Sequence, residues 1–277
     1  MKKYILDLVV TQNTRLHANY VLIKMTHANP LPEMVPGQFA EIRIDGSTTT
    51  FLRRPISINF VDKEANEVWF LVQLVGDGTR KLATVKEGDV VNVVLPLGNG
   101  YTLPQENAPV KPLLVGGGVG TAPMLMLGST LAKMGIKPTF LLGARSSKDL
   151  LQLDEFQKLG DVYTTTEDGS MGEKGYVTQH SVLSAQKFDM IYSAATIQWI
   201  PEEIAFSKTF DLLKPGGTLA MILMRGDYKT PNEALYTEIQ KIYSAYYKPE
   251  TPYTHGSFKY TNAPNYGYVD FEKREFY

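Results

Sequence analysis

Residues 113–124, LLVGGGVGTAPM, carry the reading that decides the fold. Leu113, Leu114 and Val115 run into Gly116, Gly117, Gly118 and Gly120, and the helix-forming stretch APMLMLGSTLAKMG begins at Ala122. That order reads as a buried strand, a glycine turn and a helix. The uncharged run from Pro112 to Ala132 is long enough to raise a membrane span, but its glycines and Pro123 break any single helix there. Glycines between a strand and a helix let the backbone approach a pyrophosphate, whose charge sits well at the helix N-terminus. A tight turn without a ligand is the plain alternative. The spacing departs from GxGxxG and from GxxxxGK(S/T), so neither the usual dinucleotide fingerprint nor a P-loop is supported.

Downstream of the turn the alternation continues. TFLLGAR reads as a second strand, DLLQLDEFQKLG as a helix and DVYTTTED as a third strand. KFDMIYSA is a fourth strand, PEEIAFSKTFDLLK a helix closed by PGG, and TLAMILMR a fifth strand. NEALYTEIQKIYSAYY follows as an amphipathic helix, with Asn232 as its cap and Tyr236, Tyr243, Tyr246 and Tyr247 as a packing stripe. VDFEKREFY reads as a last strand or hairpin. Strands alternating with helices imply a parallel, doubly wound sheet. Upstream, residues 1 to about 103 read as all-β. YILDLVV, YVLIKM, FAEIRI, VWFLVQLV and DVVNVVLP are short strands separated by Pro, Gly and Asp, with one short helix near Thr79–Thr84. A small barrel or sandwich is expected there. The polar segment YTLPQENAPVKP joins the parts, which predicts domains at 1–103 and 104–277.

Two domains also suit a chain of 277 residues at about 150 per domain. Twenty-eight basic against 29 acidic residues leave a net charge of -1, which argues against a nucleic-acid partner. There is no cysteine, so disulfides, thiolate nucleophiles, Cys-ligated zinc and Cys-held iron–sulfur clusters are ruled out within these residues. Asp7 interrupts the only apolar stretch near the start, and no small-residue cleavage site follows; the expectation is a cytoplasmic protein with no membrane segment. His17, His27, His180 and His255 show no metal spacing, and His180 reads as a surface residue.

The β-rich part offers a second clue. FLRRPISIN sets Arg53, Arg54 and Ser57 on an extended segment, where Arg54 can pair with a phosphate and the Ser57 hydroxyl can donate to another oxygen. A surface arginine pair beside a proline-ended strand is the alternative. LVGDGTRKL adds Gly76, Gly78 and Thr79 ahead of a short helix, a second anion seat. Trp199 could cover a cofactor edge, although an aromatic anchor for the following helix explains it as well.

PGQFAEIRI, FLRRPISI, LVGDGTRKL, LPLGNGY, LLVGGGVGTAPM, LLGARS and TTEDGSMGEKGYVT stand in the order seen in the ferredoxin-reductase-like superfamily. Over residues 1 to about 192 the chain most resembles the family of electron-transfer subunits of NAD-dependent dihydroorotate dehydrogenase. The resemblance implies an FAD-binding β-barrel followed by an NAD-binding domain. It implies that Arg54, Pro55, Ile56 and Ser57 hold FAD, helped by Leu71, Val72 and Gln73, with Gly78 and Thr79 at the pyrophosphate. Gly117, Gly118, Gly120, Thr121 and Pro123 would form the dinucleotide loop, with Arg145 and Asp168 on the ADP-ribose side. It also implies a dihydroorotate dehydrogenase catalytic subunit as partner.

After FDMIY the family pattern fails. Ser193, Ala194, Ala195 and Thr196 stand where that family carries a Cys-Gly-Pro turn, and the cysteines that hold its 2Fe–2S cluster are missing. FDMIYSAATIQWIPEEIAF, LLKPGGTLAMI and NYGYVDFEKREFY resemble instead the C-terminal half of a class I S-adenosylmethionine-dependent methyltransferase. The glycine turn that such enzymes use for S-adenosylmethionine is absent, which counts against binding of that cofactor. Both families share doubly wound sheets whose first five strands run 3-2-1-4-5, so an exchange at the fourth strand keeps the crossovers. The expected fold is an antiparallel FAD-binding barrel followed by a Rossmann-like α/β domain, reductase-like over 104–192 and methyltransferase-like over 193–277. The expected function is flavin-dependent electron transfer between FAD and a nicotinamide cofactor, without the cluster and with NAD binding weakened. The alternatives are a methyltransferase-related protein and a non-catalytic hybrid that only binds nucleotide.

Overall fold

The computed structural model describes residues 2–223, 233–246 and 258–272. Asn232, Tyr247, residues 273–277 and the side chains of Tyr236, Tyr243 and Tyr246 lie outside the described set.

The N-terminal part is one antiparallel sheet. Its strands are β1 (Tyr4–His17), β2 (Tyr20–Thr26), β3 (Phe39–Ile42), β4 (Arg54–Ser57), β5 (Phe60–Asp62), β6 (Glu67–Gln73) and β7 (Val90–Leu97), in the order β4-β3-β7-β1-β2-β6-β5. Alternation sends Leu8 and Val10 of β1 inward, while Ile5 and Val9 face out. The core beneath is apolar, with Ile23, Met25, Ile42, Ile58, Val68, Phe70 and Val93 fully buried. The sheet curls into a half-barrel rather than closing by a full ladder. Its two edge strands follow one another in the chain, and the residues between them make the join. Ile58 N–H donates to Gln38 O at 3.0 Å on one side, and Asn59 N–H to Trp69 O at 2.9 Å on the other. Pro55, which has no N–H, sits on β4, an edge where no ladder bond is lost to it. A short helix, α1 (Asp77–Leu82), starts two residues earlier than the sequence suggests.

The second sheet is parallel throughout. Its strands are β8 (Pro112–Gly117), β9 (Thr139–Ala144), β10 (Asp161–Thr166), β11 (Glu173–Lys174), β12 (Phe188–Ala194) and β13 (Leu213–Ile222), in the order β11-β10-β9-β8-β12-β13. Set aside the short β11 and this is the 3-2-1-4-5 order. Helices α2 (Ala122–Lys133), α3 (Leu153–Gln157), α4 (Val182–Ala185), α5 (Glu202–Leu212) and α6 (Glu233–Tyr246) complete the order. The uncharged run thus becomes a strand, a 3-10 turn (Gly118–Thr121) and a 12-residue helix. Among the described residues no helix is long and apolar enough to cross a membrane.

Four readings need correction. α3 is only five residues long, because Gln152 turns the chain with φ +57° immediately before it. Lys214–Gly217 does not separate α5 from a strand beginning at Thr218; the strand starts at Leu213 and bulges through it, pairing Phe188 with Leu213 and then Met190 with Thr218. The tail forms a 3-10 helix (Tyr260–Tyr266), and no strand occurs over Tyr268–Glu272. Its contacts explain why. Phe206 of α5 is fully buried among the rings of Phe258, Tyr266 and Tyr268, with centroids 5.1, 5.3 and 6.0 Å away. Glu202 accepts from Lys259 N–H and Asn262 Nδ2, which pins the tail to the start of α5. His180 is buried rather than exposed, edge-on to Tyr163 and accepting from Val182 N–H. A small apolar cleft of about 50 Å³ lies against β8, β9 and β12, lined by Leu113, Leu141, Val177, Ile191, Ala205 and Leu212.

Candidate functional site

The paired arginines of FLRRPISIN divide their roles. Arg53 is fastened across the sheet: its Nη1 donates to Asn92 O at 3.0 Å and Glu41 O at 3.3 Å, and its Nη2 to the Asn92 side chain. Among the described residues Arg54 bonds the carbonyls of Arg53 and Leu52, at 3.0 Å each, so its head group is held by its own loop. The aliphatic part of Arg54 lies over Gly78. A Cβ on Gly78 would stand 2.9 Å from Arg54 Cδ and 3.0 Å from Thr50 Cγ2, so the approach needs glycine. Thr79 is buried and closes the turn: its Oγ1 accepts from Val75 and Gly76 N–H and donates to Gly76 O. Arg54, Gly78 and Thr79, drawn from two separate motifs, therefore share one corner. Ile56 packs on the barrel core, while Pro55 and Ser57 lie on the opposite face of the edge strand.

The other flavin candidates sit at the end of β6. Val72 is in the core, so only its backbone is available to a ligand. Leu71 faces the glycine turn and packs with Tyr20, Ala122, Leu151 and Val119. Gln73 Nε2 donates to Tyr20 Oη at 3.0 Å, and Gly118, at φ +54°, lies beside that same phenol. Burial, then the charge of Asp149, raises the Tyr20 pKa above its ordinary value. Neither Tyr20 nor Asn59 is singled out by the sequence. Asn59 is fully buried and holds the two sheets together: its Nδ2 donates to Ala122 O at 2.8 Å, its side chain exchanges bonds with Gln152, and its carbonyl accepts from Met126 N–H. A short polar residue after an edge strand is the only signal that marks it.

The dinucleotide candidates lie at the carboxyl end of the parallel sheet. Thr121 and Pro123 are buried, and Thr121 Oγ1 donates to Gly118 O at 2.9 Å. Arg145 and Asp168 are exposed on adjacent loops, with Asp168 N–H donating to Arg145 O at 3.2 Å. Hydrogen bonds from Ser170 hold the Asp168 carboxyl below its ordinary range. The loop after β12 lies against the glycine turn. Ala195 adopts φ +48°, a left-handed backbone that favours glycine, and it is exposed. Replacing it with glycine relieves that strain, partly offset by the greater freedom of the unfolded chain. Ala195→Gly is expected to stabilise the fold by about 0.5–1 kcal/mol, read as a higher urea midpoint at unchanged slope.

A curled antiparallel sheet followed by a parallel α/β sheet, with an arginine corner on the first and a glycine turn on the second, defines the ferredoxin-reductase-like FAD/NAD-binding fold. An NADH-dependent reduced ferredoxin-NADP oxidoreductase superposes with a TM-score of 0.65 at 26% identity, over 79% of this chain and 77% of that one. The flavohem-like FAD/NAD binding domain of nitric oxide dioxygenase from Vibrio cholerae superposes at 0.64 and 18% identity, over 79% and 98%. Among curated proteins, the electron transfer subunit of dihydroorotate dehydrogenase B (NAD(+)) from Fusobacterium nucleatum is 36% identical over 195 residues, 69% of this chain and 75% of its own length. The counterpart from Listeria monocytogenes serotype 4b is 36% identical over 207 residues, 74% and 81%. The chain belongs to this family of electron transfer subunits. No protein-family model matches it.

Proposed function

We propose that the chain transfers electrons between an FAD on the curled sheet and a nicotinamide dinucleotide at the carboxyl edge of the parallel sheet. The observation that carries this reading is the meeting of the two candidate sets at one seam, where Leu71 and Gln73 of β6 stand against Tyr20, Gly118 and Val119. When bound, FAD supplies the hydride and single-electron chemistry. The protein's part is to hold and orient. Arg54 would pair with the pyrophosphate, beside Gly78 and Thr79, and Pro55, Ile56 and Ser57 would present the edge strand to the flavin. Leu71, Val72 and Gln73 would line the far side. Gly117, Gly118, Gly120, Thr121 and Pro123 would take the dinucleotide, with Arg145 and Asp168 toward its ADP-ribose. The Arg54 side chain lying over Gly78 beside Thr79 fits the pyrophosphate of such a cofactor.

The domain division that goes with this reading is 1–103 for the flavin part and 104–277 for the nucleotide part. The switch from a reductase-like to a methyltransferase-like segment after residue 192 belongs to the same proposal, supported by the departure from Cys-Gly-Pro at Ser193–Thr196 and allowed by the strand order common to both families. No cysteine exists among the 277 residues, so the donors do not fit a Cys-held 2Fe–2S cluster and no electron step is assigned to one. We therefore place the chain as a cytoplasmic partner of a dihydroorotate dehydrogenase catalytic subunit whose cluster-mediated turnover is largely lost. The test is direct: reconstitution with FAD, gel filtration and an absorbance spectrum should give a stoichiometric flavin band. A protein that emerges without flavin overturns the reading.

A further inference from the structure

In an open parallel sheet the ligand crevice opens where neighbouring strands send their chains to opposite faces. Here that point lies between β8, which leads into α2, and β12, which leads toward α5. The side chain of Thr196 bridges this crevice. Thr196, 7% exposed, accepts from Gly117 N–H at 3.1 Å through Oγ1 and returns its own proton to Ala194 O at 3.0 Å. The bridge is close-fitting. A Cβ on Gly120 would stand 2.3 Å from Thr196 Oγ1 and 2.9 Å from Ala194 O, and one on Gly117 would stand 3.3 Å from Thr196 Cγ2. Gly117 and Gly120 are the loop glycines assigned to the dinucleotide, so the same amide and the same empty volume are claimed by Thr196.

We propose that Thr196 is an internal latch on the glycine turn, a residue that competes with a nicotinamide dinucleotide for the Gly117 amide and the space over Gly120. The inference rests on the reading that this turn takes a dinucleotide, and it deepens it. Nicotinamide entry then requires Thr196 to leave, and the β12–α5 loop to open with it. The hydroxyl does both: it accepts from the Gly117 amide and stands over Gly120, while the methyl packs against Gly117. Ile197 N–H, which donates to Ser193 Oγ at 3.2 Å, holds the far end of the loop and keeps the latch aimed.

The test is anaerobic calorimetric titration with NADH of the full chain loaded with FAD already reduced by light, so that binding is read without hydride transfer, for the wild type, Thr196→Ala and Thr196→Ser. The latch predicts about tenfold tighter binding by Thr196→Ala, equivalent to about 1.4 kcal/mol, and near-wild-type binding by Thr196→Ser, which keeps the hydroxyl. The sign decides the case, because a residue that only supported the loop would weaken NADH binding on removal. Amide exchange gives a readout without ligand: the Gly117 N–H should exchange faster in Thr196→Ala than in the wild type or Thr196→Ser. Equal or weaker NADH binding by Thr196→Ala overturns the latch alone. Failure of all three flavin-loaded proteins to bind NADH overturns the dinucleotide reading and the latch with it.

Discussion

Arg54→Ala will lower FAD affinity about ten- to hundredfold while leaving the melting temperature of the cofactor-free protein nearly unchanged. The first half follows from charge. A guanidinium on a phosphate makes charge-assisted bonds worth about 1.5–3 kcal/mol, and alanine removes them all. The second half follows from what Arg54 now touches, two carbonyls of its own exposed loop, which water can serve instead. The neighbouring arginine supplies the contrast. Arg53 ties β3 to β7 through Glu41 O and Asn92, so Arg53→Ala should lower stability first and affect flavin only as a consequence. Flavin fluorescence titration and thermal melts of both variants separate the two roles. If Arg54→Ala binds FAD as tightly as the wild type, the arginine corner is not the phosphate site.

Phe206→Ala is expected to destabilise the protein by about 3–5 kcal/mol. Phe206 is fully buried and is the ring on which Phe258, Tyr266 and Tyr268 converge. Removing it leaves a cavity that tail and helix close only in part. The consequence reaches further than the tail. α5 connects β12 to β13, and β12 is an inner strand paired to both β8 and β13. Loss of that support should therefore shift the unfolding of the whole parallel sheet, lowering its Tm by roughly 6–20 °C in calorimetry. A wild-type melt in which residues 190–277 come away first, leaving the barrel intact, would show that the C-terminal segment is not integrated with the rest.

What the sequence makes legible are the features set by local chemistry. Gly116–Gly120 fix a turn between strand and helix because few other residues allow so close an approach, and the parallel sheet follows from the alternation around it. Arg54 and Gly78 are each visible as motif residues, but their meeting is not, since it depends on how the 50-loop folds over α1. Asn59, Tyr20 and Thr196 carry no pattern of their own. Asn59 and Tyr20 take their roles from the contact between two sheets, and Thr196 takes its role from the loop after β12 meeting the glycine turn, neither of which periodicity encodes. The tail shows the opposite failure. VDFEKREFY alternates like a strand, yet its aromatic neighbours are drawn onto Phe206 and the backbone follows packing instead of pattern. Ala195 is the reverse again: the left-handed turn is kept although the residue there has a side chain, because the strands on either side dictate the backbone.

The central claim is that electrons pass between nicotinamide and flavin across the seam of the two sheets. Anaerobic stopped-flow mixing of the FAD-loaded protein with NADH tests it most directly, with flavin absorbance as the signal. The account predicts bleaching of the flavin band, slow in the wild type at low NADH and promoted in Thr196→Ala. A flavin that stays oxidised in both proteins at saturating NADH would contradict it.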